Sequence, residues 1–237
     1  MTIKLQQELI VTSDKTIDAR GANVEICNGT GISLQFAKNV IITGLYIHHI
    51  VPSKGGKIKD GENHVGLRSA SDGDEVSLFG ATNIWLDYLS FHHCTDGLID
   101  VIQGSTAITI SNCHFTDHND VMLFGASDSY SANAKMQVTV ALNHFGKGLG
   151  NRYSAPSTIG VKGVTCRGLL KLGQWKNLNW VSQGDHFEND AFFTSSGNPS
   201  ASKQFGADKM MPFKPGQMVP ELTKYTGPLS CTIGRPC

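Results

Sequence analysis

The 237-residue chain contains no run of about 18 apolar residues, so it offers no membrane-spanning helix. It has no surplus of either charge. With 20 Lys+Arg against 20 Asp+Glu, the neutral balance argues against bulk attraction to nucleic acid, where neutralising phosphate needs a basic excess. Charged residues are sparse at 17% and hydrophobics reach 40%, a balance that excludes a disordered chain. None of the six cysteines (Cys27, Cys94, Cys113, Cys166, Cys231, Cys237) forms a Cys-x-x-Cys pair, which argues against a zinc knuckle or a thioredoxin-like centre. Gly-x-Ser-x-Gly, P-loop and dinucleotide fingerprints are also missing, and with them the common hydrolase, NTPase and nicotinamide chemistries. The opening residues, Met1 to Glu8, lack the basic and apolar regions of a signal peptide, so no export signal is read in them.

Glycine, by contrast, is abundant at 26 residues, which predicts many tight turns between short elements rather than long helices. The strongest positive signal is a repeat. Asn39-Val40-Ile41-Ile42-Thr43-Gly44-Leu45-Tyr46-Ile47 shares its outline with segments beginning at Asn83, Ala107 and Gln137. Each opens as a β-branched strand and ends, eight positions on, at a large apolar residue: Ile47, Phe91, Phe115 or Phe145. In the third and fourth copies Ile108/Ile110 and Val138/Val140 fall on one face. The starts lie 44, 24 and 30 positions apart, and a weaker copy, Lys15-Thr16-Ile17-Asp18, precedes the first by 24.

Short strands recurring every two dozen residues without helical patterns predict an all-β solenoid, in which each strand pairs in parallel with its equivalent in the next coil. A β-sandwich with coincidental spacing is the alternative. The gap of 44 holds either one extra coil or a long insertion, and the polar run Pro52 to Gly61 reads as an insertion. After Phe145 the pattern breaks at Gly146-Lys147-Gly148-Leu149-Gly150. The expected organisation is one domain over 1–237, with coils in 1–150 and an irregular segment in 151–237 packed on them.

Acidic residues cluster where coils should stack. Residues two or four apart in a strand share a face, which pairs Asp72 with Asp74 and Asp96 with Asp100. Asp72 and Asp96 are one period apart, so the pairs should lie one above the other. Four carboxylates gathered together repel unless a cation binds, and such oxygen donors suit Ca2+. The competing reading is that they are solvated Asp-Gly turns. The pairs His48-His49 and His92-His93 recur 44 positions apart but lack the tight ligand spacing of a zinc site, so rim and turn roles are expected. Trp85, inside a repeat strand, is expected in the core, and Trp175 and Trp180 are core or sugar-platform candidates. Cys231 and Cys237 permit a small disulfide loop, with free buried thiols as the alternative. The sequon Asn28-Gly29-Thr30 is a weak sign of secretion.

The stretches Ser71-Asp72-Gly73-Asp74, Ile84-Trp85-Leu86-Asp87 and Asp96-Gly97-Leu98-Ile99-Asp100 resemble plant pectate lyases and the related pollen allergens. So do Gly104 to Asn112, Val121-Met122-Leu123, Gly150 to Pro156 and the closing Leu229-Ser230-Cys231 with Cys237. The resemblance runs in order along nearly the whole chain. It implies a right-handed single-stranded parallel β-helix and a secreted, monomeric, Ca2+-dependent cell-wall enzyme. Its substrate would be polygalacturonate or pectin, its reaction eliminative cleavage, and its partners neither nucleic acid nor membrane. The family's calcium carboxylates fall on Asp72, Asp74, Asp96 and Asp100, the four already singled out by stacking.

Three departures accompany the resemblance. The Arg-x-Pro-Arg segment that carries the family's catalytic base should follow the fourth repeat. Instead the chain passes from Gly146-Lys147-Gly148-Leu149 to Gly150-Asn151-Arg152, which matches a later motif, so Arg152 is not assigned as the base and no catalytic residue is nominated. Asp120 stands where many members carry a substrate-binding lysine, and Tyr88 replaces the histidine of Trp-Ile-Asp-His. The expectation is a calcium-binding member with impaired turnover; the alternative is a non-catalytic, allergen-like polyuronate-binding wall protein.

Overall fold

The computed structural model describes residues 1–61, 63–127, 129–149, 179–188, 191–193, 195–198, 212 and 214–232. Strands come in threes along the chain. The first coil supplies Thr2–Ile3 (β1), Leu9–Ile10 (β2) and Lys15–Asp18 (β3), and the second Val24–Cys27 (β4), Ile32–Gln35 (β5) and Lys38–Thr43 (β6). The third begins with Leu45–His48 (β7), is interrupted by Gly56–Lys59 (β8) and Val65–Arg68 (β9), and resumes with Val76–Phe79 (β10) and Thr82–Asp87 (β11). Ser90–His92 (β12), Ile99–Ile102 (β13) and Thr106–Ser111 (β14) form the fourth. His114–Thr116 (β15), Met122–Phe124 (β16) and Val138–Ala141 (β17) form the fifth, and His144–Phe145 (β18) opens another. Equivalent strands pair in parallel into three sheets, ordered β1-β4-β7-β12-β15-β18, β2-β5-β10-β13-β16 and β3-β6-β11-β14-β17. The molecule is a parallel β-helix, right-handed as twisted strands favour for parallel crossovers.

The corners explain how so short a coil closes. A left-handed residue recurs at equivalent places: Asn39, Asn83 and Ala107 within the third sheet's strands, Gly44, Tyr88, Asn112 and Leu142 after them, and His49, His93 and Asp117 after the first sheet's strands. Most are not glycine, so the glycine surplus does not by itself account for the turns. Side-chain ladders support the strain: Asn83 donates to the Asn39 side-chain oxygen at 2.8 Å, and Asn39 to Asp14 Oδ1 at 2.7 Å.

Inward residues stack in columns. Val40, Ile84 and Ile108 form one, Ile42, Leu86 and Ile110 another, and all six are buried. The apolar residues that end the repeats share a third column, Ile47, Phe91, Phe115 and Phe145. The Phe91 and Phe115 rings stack at 5.2 Å and those of Phe115 and Phe145 at 5.0 Å. Val140 lies opposite buried Ile110 yet is 41% exposed where the described stack ends.

The structure decides between some of these expectations and corrects others. The 44-residue gap holds an insertion and no extra coil, because β6 pairs directly with β11 and β7 with β12. The insertion is the antiparallel hairpin β8–β9, tied down where Arg68 Nη2 meets Glu8 at 3.3 Å and Ser33 Oγ at 3.4 Å. The early copy sits one residue away from its expected register, with Lys15 opposite Val40, because Asp14 takes the corner equivalent to Asn39. Trp85 is not in the core. It is 43% exposed, since Ile84 and Leu86 take the inward positions, and its indole donates at 2.8 Å to Ser111 Oγ, which donates to Asp87 at 2.7 Å. Trp180 packs beside Phe124 at 6.0 Å, and Gly227 N–H donates to the Asn112 carbonyl at 2.8 Å, so described parts of the C-terminal segment lie against the coils. Cys27, Cys94 and Cys113 are free thiols and Cys231 is disulfide-bonded. Cys166, Cys237, Trp175, Arg152 and the Gly150-to-Pro156 stretch lie outside the described residues.

Candidate metal centre

The turns leading into β10 and β13 bring the predicted carboxylates together. Ligand oxygens of Asp72, Asp74 and Asp96 all lie within 4.8 Å of one another. Asp100, 8% exposed and opposite Ser77 in the sheet, acts electrostatically on Asp74. The route differs from the one expected. Asp72, Asp74 and Asp96 precede the strands, so pleat alternation does not place them. The offset between these coils is 23 residues and not 24, as Val76 opposes Ile99; Asp74 therefore lies over Gly97, and Asp120 continues that column. The turns converge because Glu75 N–H donates to the Gly97 carbonyl at 3.1 Å and Gly97 N–H to Asp74 Oδ1 at 2.9 Å.

Gly97 leaves the space that the carboxylates need. A Cβ there would lie 2.4 Å from Asp100 Oδ1 and 3.2 Å from Asp74 Oδ1. Gly97→Ala is expected to weaken calcium binding at least about tenfold, the usual effect of disturbing groups that orient ligands, with the fold retained. Calcium calorimetry alongside circular dichroism checks this.

Burial, reinforced by Asp100, Asp72 and Asp96, pushes the Asp74 carboxyl up to about 8. A carboxyl so placed is stabilised in its charged form by a cation, and an all-carboxylate donor set fits a hard ion such as Ca2+. Neighbouring groups set the turn: His118 Nε2 meets the Asp96 carbonyl at 2.6 Å, and Cys94 Sγ meets it at 3.2 Å. Burial pushes the Cys94 thiol up, as do the negative charges of Glu75, Asp74 and Asp96, so it stays protonated.

Sequence reading missed Glu75 and His118. Glu75 is fully buried in the column of Leu98 and Val121, and burial raises its carboxyl well above the usual range, only partly offset by the His92 backbone N–H. No period-two pattern signals it, because Glu75 and Val76 both face inward at a corner. The paired histidines do occupy corner positions. Burial and their neighbours' charge push His92 down to about 4, and burial lowers His48 as well.

A parallel β-helix whose coil turns present a carboxylate cluster defines the class of protein. The pectate lyase family model matches residues 3–152, and the chain belongs to that family. It is 48% identical to probable pectate lyase 7 of Arabidopsis thaliana and 46% identical to a pectate lyase of Lilium longiflorum, all of the chain being covered in both. It spans only 58% and 63% of those relatives' lengths. The 276 positions aligned with the Arabidopsis protein exceed the chain's 237 residues by 39, so at least that many positions have no counterpart here. Among solved structures, Jun a 1, the major allergen from cedar pollen, superposes with a TM-score of 0.82 at 33% identity, covering 97% of this chain and 78% of that one.

Proposed function

We propose that the chain holds Ca2+ through Asp72, Asp74, Asp96 and Asp100 and thereby binds de-esterified galacturonan, with eliminative cleavage, the family reaction, strongly reduced. The observation that supports this reading is the convergence of Asp72, Asp74 and Asp96 within 4.8 Å in a chain of the pectate lyase family. Asp72, Asp74, Asp96 and Asp100 would hold the ion, which would supply Lewis-acid polarisation of a uronate carboxylate and so favour loss of the neighbouring C5 proton. The chain's own residues shape the receptor. Asp74 presents a half-buried carboxyl that a cation would hold ionised, the Gly97 N–H keeps it in place, and His118 and Cys94 fix the Asp96 turn.

Removing the C5 proton requires a positioned base. The sequence holds five arginines, Arg20, Arg68, Arg152, Arg167 and Arg235, and none belongs to an Arg-x-Pro-Arg segment. Asp120, next along the column from Asp74 and Gly97, adds negative charge that disfavours an anionic polymer. Pectate is a cell-wall polymer, and this reading places the protein outside the cell, acting as a monomer.

The test combines two measurements in millimolar calcium. Calorimetry with oligogalacturonate should show binding that chelator abolishes. Ultraviolet absorbance of the unsaturated product from polygalacturonate should grow at least about a hundredfold more slowly than with the Lilium enzyme, the range expected for losing a general base. Fast, chelator-sensitive product formation would overturn the impaired-turnover reading. Absence of calcium-dependent binding would overturn the site itself.

A further inference from the structure

The paired histidines make a second cluster that the carboxylate chemistry does not use. In a regular strand, neighbours such as His48 and His49 point to opposite faces. Here His49 and His93 adopt left-handed backbone conformations, with φ of 52° and 58°, which break the pleat and turn each ring back toward the one before it. His48 Nδ1 meets His49 Nδ1 at 2.8 Å, and His92 Nδ1 meets His93 Nδ1 at 2.9 Å. Because β7 pairs with β12 in register, the two pairs stack. His48 lies over His92 at 4.6 Å and His49 over His93 at 5.0 Å, giving a two-by-two block of imidazoles.

Donor atoms of His48, His49 and His92 all lie within 4.8 Å of one another. Glu25 and Cys27, one coil below, converge on His48 as a second set of potential ligands. Glu25 acts electrostatically on His48 and Asp117 on His92, so the block is flanked by negative charge. His49 and His93 are solvent-exposed, which leaves an entry path.

We propose that His48, His49 and His92, with His93 beside them, bind one transition-metal ion of the Zn2+, Cu2+ or Ni2+ class and thereby link two adjacent coils. Imidazole nitrogen suits these borderline ions, whereas the oxygen cluster of Asp72, Asp74 and Asp96 suits hard Ca2+. The two sites therefore take different ions. This assignment rests on its own residues and stands or falls separately from pectate binding.

The experiment uses the full chain without a polyhistidine tag, stripped of metals and then held in a hundredfold excess of Ca2+. Zinc chloride and, separately, nickel chloride are titrated by calorimetry, and X-ray absorption is recorded on the loaded protein. The expected result is one equivalent bound, imidazole nitrogen scatterers at about 2.0–2.1 Å, and a raised Tm. His49→Asn/His93→Asn should weaken binding at least about tenfold, since asparagine keeps the left-handed corner but removes the imidazoles. Failure to saturate at one equivalent, displacement by calcium, undiminished affinity in the double variant, or a shell without imidazole would overturn the proposal. The absorption spectrum reads the wild-type protein, so the test holds even where a variant fails to fold.

Discussion

Stripped of calcium, the protein is expected to lose thermal stability steadily as pH rises from about 4 toward about 8, and to recover it when calcium returns. The sign follows from Asp74. Its carboxyl is raised from 3.8 to about 8 by burial and by Asp100, Asp72 and Asp96, so over that window the native state binds a proton that the unfolded chain has released. Stability therefore falls as pH rises through the window. Glu75, raised by burial, acts in the same direction. Calcium competes for the ionised form, so its stabilising effect should be small near pH 5 and large near pH 8. The loss is on the order of a few kcal/mol, with Tm moving roughly 2–4 °C per kcal/mol for a chain of this size. Asp74→Asn should make the chelator profile shallower, leaving the share that Glu75 contributes, and remove most of the gain from calcium. Scanning calorimetry across the pH range, with chelator and with calcium, reads both effects; stability that rises with pH in chelator would contradict them.

The second large effect concerns the aromatic column. Phe115 is fully buried between Phe91 and Phe145, with ring centroids 5.2 and 5.0 Å away. Phe115→Ala is expected to cost about 3–5 kcal/mol, combining lost transfer energy with the cavity left behind. Both stacking contacts would be lost together. Phe115→Leu should cost markedly less, since it refills most of the volume. Urea unfolding followed by circular dichroism measures both, and a loss below about 1 kcal/mol for the alanine variant would show that this column does not hold adjacent coils together. Because each coil touches only its neighbours, the damage should centre on the coils of β12, β15 and β18.

These residues show how far the sequence could be read. Ile47, Phe91, Phe115 and Phe145 were legible as a column because a fixed outline places one large apolar residue at the same point of each repeat. Asp72, Asp74, Asp96 and Asp100 were legible as a group because stacking carries a local cluster into its neighbour. Their offset differs by one residue from the repeat because the third sheet advances 24 residues, from Ile84 to Ile108, while the second advances 23, from Val76 to Ile99. Coils need not advance equally at every corner. Trp85 was misread because a large aromatic in a strand looks like core, yet alternation with Ile84 and Leu86 turns it outward. Glu75 and the convergence of His48 with His49 depend on corner backbone geometry, which period-two patterns do not encode.

The most direct measurement is a calcium-binding isotherm on the metal-free protein at pH 8, for the wild type and for Asp74→Asn. Saturable binding of calcium in the wild type, lost or weakened at least about a hundredfold in the variant, is the predicted result. No binding in the wild type, or equal affinity in the two proteins, would contradict the assignment of Asp72, Asp74, Asp96 and Asp100 as the calcium site.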